Sequence, residues 1–292
     1  MKSMTDVFRE MLKSPGIIHA PIAYDPLSAK IAERVGFRAL DIGGYALGAS
    51  SCVPEPLLSL EEVAMATRRM TAAVNIPIMV DGGAGYGDAV HIMRTVQVLE
   101  QAGAAAVHIE DQVFPKRVHY HKGQEHVIPA EEMCDKIRYA AKSRRDPGFV
   151  IAARTDAMRT DGFTEGIRRA NLYSEAGADM IMIFPNTESE ARQAPREVRT
   201  PLIYVNSEGN RLGRPIFGIR ELEDMGYKMV NDAISAITVM FKSVKELFVR
   251  LKETGSTGMD QEIFRKVRKE IEDTIGLEEF YRIEESTVEN KK

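Results

Sequence analysis

Eight short apolar runs alternate with stretches of helical periodicity, and this alternation limits what a chain of 292 residues can fold into. The runs are Ile17 to Ala20, Arg38 to Ile42, Pro77 to Val80, Ala105 to Ile109, Phe149 to Ala153, Met180 to Phe184, Leu202 to Val205 and Lys228 to Val230. Between them, Leu60 to Ala73, Ala89 to Ala102, Ala130 to Ala141 and Thr164 to Ala176 place apolar residues three and four apart, the spacing of one helix face. Strands that alternate with helices pair in parallel, because a parallel connection must cross back over the sheet. A weak repeat supports this: RVGFRAL, QAGAAAV, EAGADMI and DMGYKMV set Gly36, Gly103, Gly177 and Gly226 between a helix end and the next strand, where a left-handed cap suits glycine. Eight such units close most simply into an α/β (β/α)8 TIM barrel. A doubly wound open sheet would use fewer strands and a reversal of strand order.

After Ile234 the pattern is purely helical, from about Ser235 to Lys252 and from about Asp260 to Phe280, with ETGSTG between. The expected organisation is a barrel domain over 1–255 and a C-terminal helical arm over 256–292. In the arm Phe264, Val267, Ile271, Ile275 and Leu277 form an apolar stripe that needs a partner surface. The first residues, with Phe8, Met11 and Leu12 among charges, read as a short amphipathic helix and not as a signal peptide. No run of eighteen apolar residues suggests a membrane span. Lys plus Arg number 39 against 43 Asp plus Glu, a net charge of -4, which disfavours nucleic-acid or membrane-surface binding. Two cysteines, Cys52 and Cys134, have no spacing of a disulfide framework or zinc site, so a reducing, cytoplasmic setting is expected.

In a barrel the loops after the strand C-termini build the active site, so residues at strand ends carry the chemistry. Asp41 with Gly43, Gly44 and Tyr45 follows the second run, Asp81 in VDGGAGYGD the third, Glu110 and Asp111 the fourth, and Arg154, Thr155 and Asp156 the fifth. Asp81 and Glu110 together suit a hard divalent cation, Mg2+ or alternatively Mn2+, which prefers oxygen ligands. The structural alternative is that each acid caps a helix or pairs with a base. Arg154 can clamp a carboxylate or phosphonate with its planar fork, or make a salt bridge across the barrel mouth. GGYALG and GGAGYG match neither a P-loop nor a dinucleotide fingerprint, leaving tight turns whose amides face a small anion. His119, His121 and His126 in HYHKGQEH are read as part of a mobile polar lid in preference to a metal cluster.

AYDPLSAKIAERVGF, DGGAGYGDA, HIEDQVFPKR, IAARTDA and EAGAD occur in this order, and together they resemble the isocitrate lyase and phosphoenolpyruvate mutase superfamily over about residues 5 to 255. The resemblance implies a magnesium-dependent barrel that makes or breaks carbon–carbon or carbon–phosphorus bonds next to the enolate of a 2-oxo acid. It also implies a homotetramer of helix-swapped dimers, which would give the apolar stripe its partner. On this resemblance Asp81 and Glu110 surround the metal, Arg154 binds a substrate carboxylate, and Gly43, Gly44 and Tyr45 receive another through backbone amides.

The departures narrow the activity. Lyases of the superfamily carry a lid of the form KRCGH, whereas this chain reads Lys116, Arg117, Val118, His119, Tyr120. Valine transfers no proton, so His119 or Tyr120 is the expected substitute donor. The usual paired metal carboxylates become Asp81 and Gly83, with Glu110, Asp111 or Glu55 as candidates to compensate. A glutamate after the sixth strand is replaced by Phe184, and an asparagine near the seventh by Val205, with Asn206 beside it as the candidate substrate contact. This pattern resembles the oxaloacetate decarboxylase branch, although Asp232 and Ala233 stand where that branch has a histidine. The expected function is a metal-dependent lyase or decarboxylase for a small 2-oxo or 2-hydroxy dicarboxylate. A phosphonopyruvate-type mutase or hydrolase and a non-catalytic carboxylate-binding barrel are the alternatives.

Overall fold

The computed structural model describes residues 2–289. Eight parallel strands form one sheet: β1 (Ile18–Pro21), β2 (Leu40–Ile42), β3 (Ile78–Asp81), β4 (Ala106–Glu110), β5 (Val150–Arg154), β6 (Met180–Ile183), β7 (Leu202–Asn206) and β8 (Met229–Asp232). Their hydrogen-bonded order is β1-β8-β7-β6-β5-β4-β3-β2. A parallel bridge between Ile22 and Asp41 joins the two ends, so the sheet closes nearly completely into a (β/α)8 barrel. Most strands run one residue further toward their C-termini than the apolar runs do. The apolar pattern stops where the core stops, while backbone pairing continues through Asp81, Glu110, Arg154, Asn206 and Asp232.

Side chains alternate between the two faces of each strand. One set, including Ile78, Val80, Val107, Ile109, Ile151, Ala153, Ile181, Ile183 and Tyr204, packs in a core shared with the surrounding helices. The other set, Ile18, Ala20, Met79, Ala106, Val150, Ala152, Met180, Met182, Ile203, Val205 and Met229, fills the barrel interior. Four of these are methionines, whose flexible thioethers fill an irregular space. The amphipathic helix Met4–Lys13, capped by Ser3, adds Phe8 and Met11 to this interior cluster. It thereby closes the barrel at the end opposite the active-site loops. Gly36, Gly103, Gly177 and Gly226 all adopt φ between 90° and 109°, as the repeat required.

Contacts divide the chain into two compact units, Met1–Ile237 and Thr238–Lys292. The division falls before the 255/256 boundary expected from sequence. In the helix Ser235–Thr254 only Ile237 is buried. Within the second unit, the expected single helix from Asp260 is two, Gln261–Thr274 and Leu277–Glu284, separated at Gly276 with φ of 72°. Neither helix has a buried residue, and Phe264, Val267, Ile271 and Ile275 are all exposed. Among the described residues no helix is long and apolar enough to cross a membrane.

Because Phe8 is 0% exposed, Phe8→Ala should lower the unfolding free energy by about 3–5 kcal/mol in urea denaturation. An effect near zero would mean that the helix does not seal the interior.

Candidate active site

Continuing the inward-facing set by one more step of two residues leads from apolar to chemical side chains. Met79 is followed by Asp81, Ala106 by His108 and Glu110, Ala152 by Arg154, Met182 by Phe184 and Met229 by Asn231. These residues form the floor of a cavity of about 340 Å³ at the barrel mouth, with Asp41, Gly43, Gly44, Tyr45, Glu55 and Arg159 also in its lining. Glu110 is the exception, lying just beneath the lining.

The loop after β2 starts the short helix Gly44–Ser50, which has no side-chain cap. Gly44 N–H donates to Asp81 Oδ2 at 3.1 Å, and Gly83 N–H donates to Asp81 Oδ1 at 2.8 Å. Only glycine fits at position 44, since a Cβ would stand 2.8 Å from Glu55 Cγ and 3.0 Å from Asp81 Oδ2. Burial raises the Asp81 pKa, but His108, Lys116 and Arg154 together with the Gly83 amide outweigh it and bring it down to about 2. Asp81 is therefore a carboxylate at any ordinary pH. His108 sits between Asp81 and Asp41, at 3.7 and 3.5 Å, and Asn231 Nδ2 donates to Asp41 at 2.5 Å.

Glu110 is 1% exposed and lies between two cations. Lys116 Nζ is 2.9 Å from one oxygen and Arg154 Nη1 is 3.2 Å from the other. Burial nevertheless raises its pKa above the usual value, against the pull of both bases. The sequence reading placed Glu110 beside Asp81 around one cation; here Lys116 and Arg154 stand against its two oxygens. Arg154 also forks onto Asp156, at 3.2 and 3.1 Å, so its orientation is fixed from two sides.

The lid candidate, after β4, is anchored. Val113 N–H bonds to the carbonyl of His126, and Lys116 and Tyr120 both donate to Glu55. Burial, then the Glu55 charge, pushes the Tyr120 phenol far above its usual pKa, so it keeps its proton. His119 is exposed and outside the cavity lining, whereas His121 lines the cavity and stacks with Tyr120, ring centroids 4.1 Å apart. His119 and His121 point in different directions because Val118–Lys122 is a 3-10 helix. There each residue turns by about 120°, and residues two apart diverge. Val118, 50% exposed, is also outside the lining.

Two further sequence candidates face away, and strand phase explains both. Asn206 follows Val205 and so shares the outward face with Tyr204; its amide donates to the Phe217 carbonyl at 2.9 Å and leaves the cavity to its neighbours. Asp111 follows Glu110 and turns outward, accepting from Thr155 at 2.7 Å, Tyr173 at 2.9 Å and the Asp156 N–H at 2.9 Å. It therefore cannot replace the acid missing at Gly83. Residues that sequence reasoning did not single out are His108 and Asn231 and two arginines, Arg159 and Arg214; His121 was read only as part of the lid. The first two lie in phase with the inward set and were legible in principle; the last three come from loops and a short helix.

The sequence matches the family described as phosphoenolpyruvate phosphomutase over residues 8–252. It is 38% identical to 2-methylisocitrate lyase of Aeropyrum pernix, over 94% of this chain and 88% of that protein. It is 35% identical to 2,3-dimethylmalate lyase of Eubacterium barkeri, over 94% and 95% of the two chains. A crystal structure of phosphonopyruvate hydrolase in complex with oxalate and magnesium superposes with a TM-score of 0.87 at 29% identity, covering 98% of this chain and 100% of the other. On this family match and these relatives, the chain belongs to the phosphoenolpyruvate phosphomutase family of the PEP mutase and isocitrate lyase superfamily.

Proposed function

We propose that the protein is a magnesium-dependent carbon–carbon lyase or decarboxylase that acts on a small 2-oxo or 2-hydroxy dicarboxylate through an enolate. The observation that carries this reading is the polarity of the cavity. In a ring of eight strands β6 stands opposite β2. The loop after β2 carries the Gly43–Tyr45 amides beside the ionised Asp81, while Phe184 after β6 is flanked by guanidinium groups. A substrate acid placed beside Asp81 would be repelled by it unless a cation lay between.

The donor set fits such a cation. Each Asp81 oxygen accepts one backbone N–H and keeps a lone pair. Among the described residues no three His, Cys, Asp or Glu side chains gather into a metal cage. One or two carboxylates with water and substrate completing the shell is how proteins hold Mg2+, and Mn2+ accepts the same oxygens. Asp81 is the direct ligand in this reading, and Glu110 supports the shell from behind Lys116. When bound, the ion supplies positive charge to an enolate oxygen as it develops.

The chain's own residues do the rest. Gly43 and Tyr45 offer backbone around the substrate acid, while Gly44 orients Asp81. Arg154, fixed by Glu110 and Asp156, clamps the far acid group. Tyr120 holds a proton next to Glu55 in the position of a donor, with His121 stacked on it in the cavity where His119 was expected. The Lys116–Glu55 contact keeps the lid shut and water out.

A screen of oxaloacetate, substituted malates, methylisocitrate and phosphonopyruvate, with and without Mg2+, should release a 2-oxo acid or oxalate only from a dicarboxylate and only with the ion. Phosphonopyruvate as sole substrate would favour phosphorus–carbon chemistry, and metal-independent turnover would remove Asp81 from its role. Arg154→Lys keeps a charge near Glu110 and Asp156 but loses the planar fork; kcat/KM should fall on the order of 100-fold. An unchanged rate would exclude the clamp.

We also propose that the arm assembles the chain into a homo-oligomer, a tetramer of helix-swapped dimers, through Phe264, Val267, Ile271 and Ile275. Light scattering should give a tetramer mass for the native chain and a smaller species for Phe264→Asp combined with Ile271→Asp. A native chain that is monomeric would end this reading.

A further inference from the structure

Three guanidinium groups surround one phenyl ring in the cavity. The Cζ atoms of Arg154, Arg159 and Arg214 lie 4.7, 4.5 and 5.0 Å from the centroid of Phe184. Two of the three are neutralised. Arg154 pairs with Glu110 and Asp156, and Arg159 pairs with Asp156 at 2.5 Å and Glu125 at 3.2 Å. For Arg214 no ion pair is found among the described residues, and its guanidinium reaches only the Val205 carbonyl, at 3.5 Å. Yet Arg214 is 6% exposed and lines the cavity.

A buried cation without a counter-ion is destabilising, and two like charges beside it make it more so. Burial first, then Arg159, lower the Arg214 pKa to about 10, while Arg154 with its acid partners moves up. The backbone nonetheless holds Arg214 in place. Its N–H donates to Asn210 Oδ1 at 2.8 Å and its carbonyl accepts from Asn210 Nδ2 at 3.0 Å. On the following residues, Tyr204 donates to the Pro215 carbonyl at 2.7 Å and Asn206 to that of Phe217. Such fixing of an unpaired cation is costly unless an anion arrives from outside.

We propose that Arg214 is a specificity-determining residue that receives, beside the Arg154 clamp, the distal carboxylate of the substrate, making the cavity selective for dicarboxylates over acids with a single anionic end. Asn206 and Asn210 are positioning residues that hold the loop carrying it. The inference rests on the proposed function, which places the other acid group at the Gly43–Tyr45 loop. A dicarboxylate then spans the barrel mouth, and its second charge neutralises the one guanidinium of the three around Phe184 that has no ion pair among the described residues.

The test is calorimetric titration of the full chain with Mg2+ and two probes: oxalate, too short to reach across the ring, and malate, whose second carboxylate extends from the 2-hydroxy acid end and whose turnover is checked first under the same conditions. Arg214→Met should weaken malate by about 10- to 100-fold, as expected for losing a charge-assisted contact, and leave oxalate within about twofold. Arg214→Lys should recover part of the loss. Without ligand, Arg214→Met should melt at or above the native temperature, since it removes an unpaired buried charge, whereas a structural arginine would lower it. Equal effects on both probes, or none on malate, would overturn the role of Arg214. Failure of oxalate to bind the native protein would instead overturn the reading of the site on which it rests.

Discussion

The alternation of side chains along a closed parallel sheet is the constraint on which the rest of this molecule depends. Inside the barrel a residue has only two choices of direction, and a shift of one position moves it from the cavity to the helix layer. Ala106, His108 and Glu110 climb the inner wall of β4 in turn, passing from packing to charge over three inward-facing positions. Asp111, one position on, belongs to another neighbourhood and gathers Thr155, Tyr173 and Arg169 around itself. Adjacent acids of the same chemistry thus serve the mouth and the wall.

The charges at the mouth form a chain more than a set of pairs. Lys116 touches Glu55 and Glu110, Glu110 touches Arg154, Arg154 touches Asp156, and Asp156 touches Arg159. Each buried charge is tolerable because its neighbours compensate it, so replacing one member disturbs the next. The precision of Arg154 comes from this chain, since two carboxylates hold its plane from different sides.

Much of this was legible before any coordinates. Strand number and the glycine caps follow from periodicity, because burial imposes a period of two on strands and 3.6 on helices. Asp81 and Arg154 were legible for the same reason, standing at ends of apolar runs in phase with the core. Asn206 and Asp111 were not, because residue type suggested a role that strand phase denied. His119 was named as the substitute donor from its place in the lid sequence, whereas the 3-10 turn sets His121 and not His119 at the cavity. Arg159, on the short helix after β5, and Arg214, in the loop after β7, had no periodic signal at all; loops place side chains by their own hydrogen bonds, which a hydrophobic pattern does not record.

The helix Met4–Lys13, introduced as a plug for the barrel floor, has a consequence for traffic. With Phe8 and Met11 packed into one end and side chains filling the interior, the cavity lies at the other end, where Tyr120, His121, Gly123 and Glu125 of the strap between Val113 and His126 line it. On the proposed function, ion, substrate and both fragments of a cleaved molecule would share that doorway, and their departure would be sequential, the fragment bound less firmly leaving first.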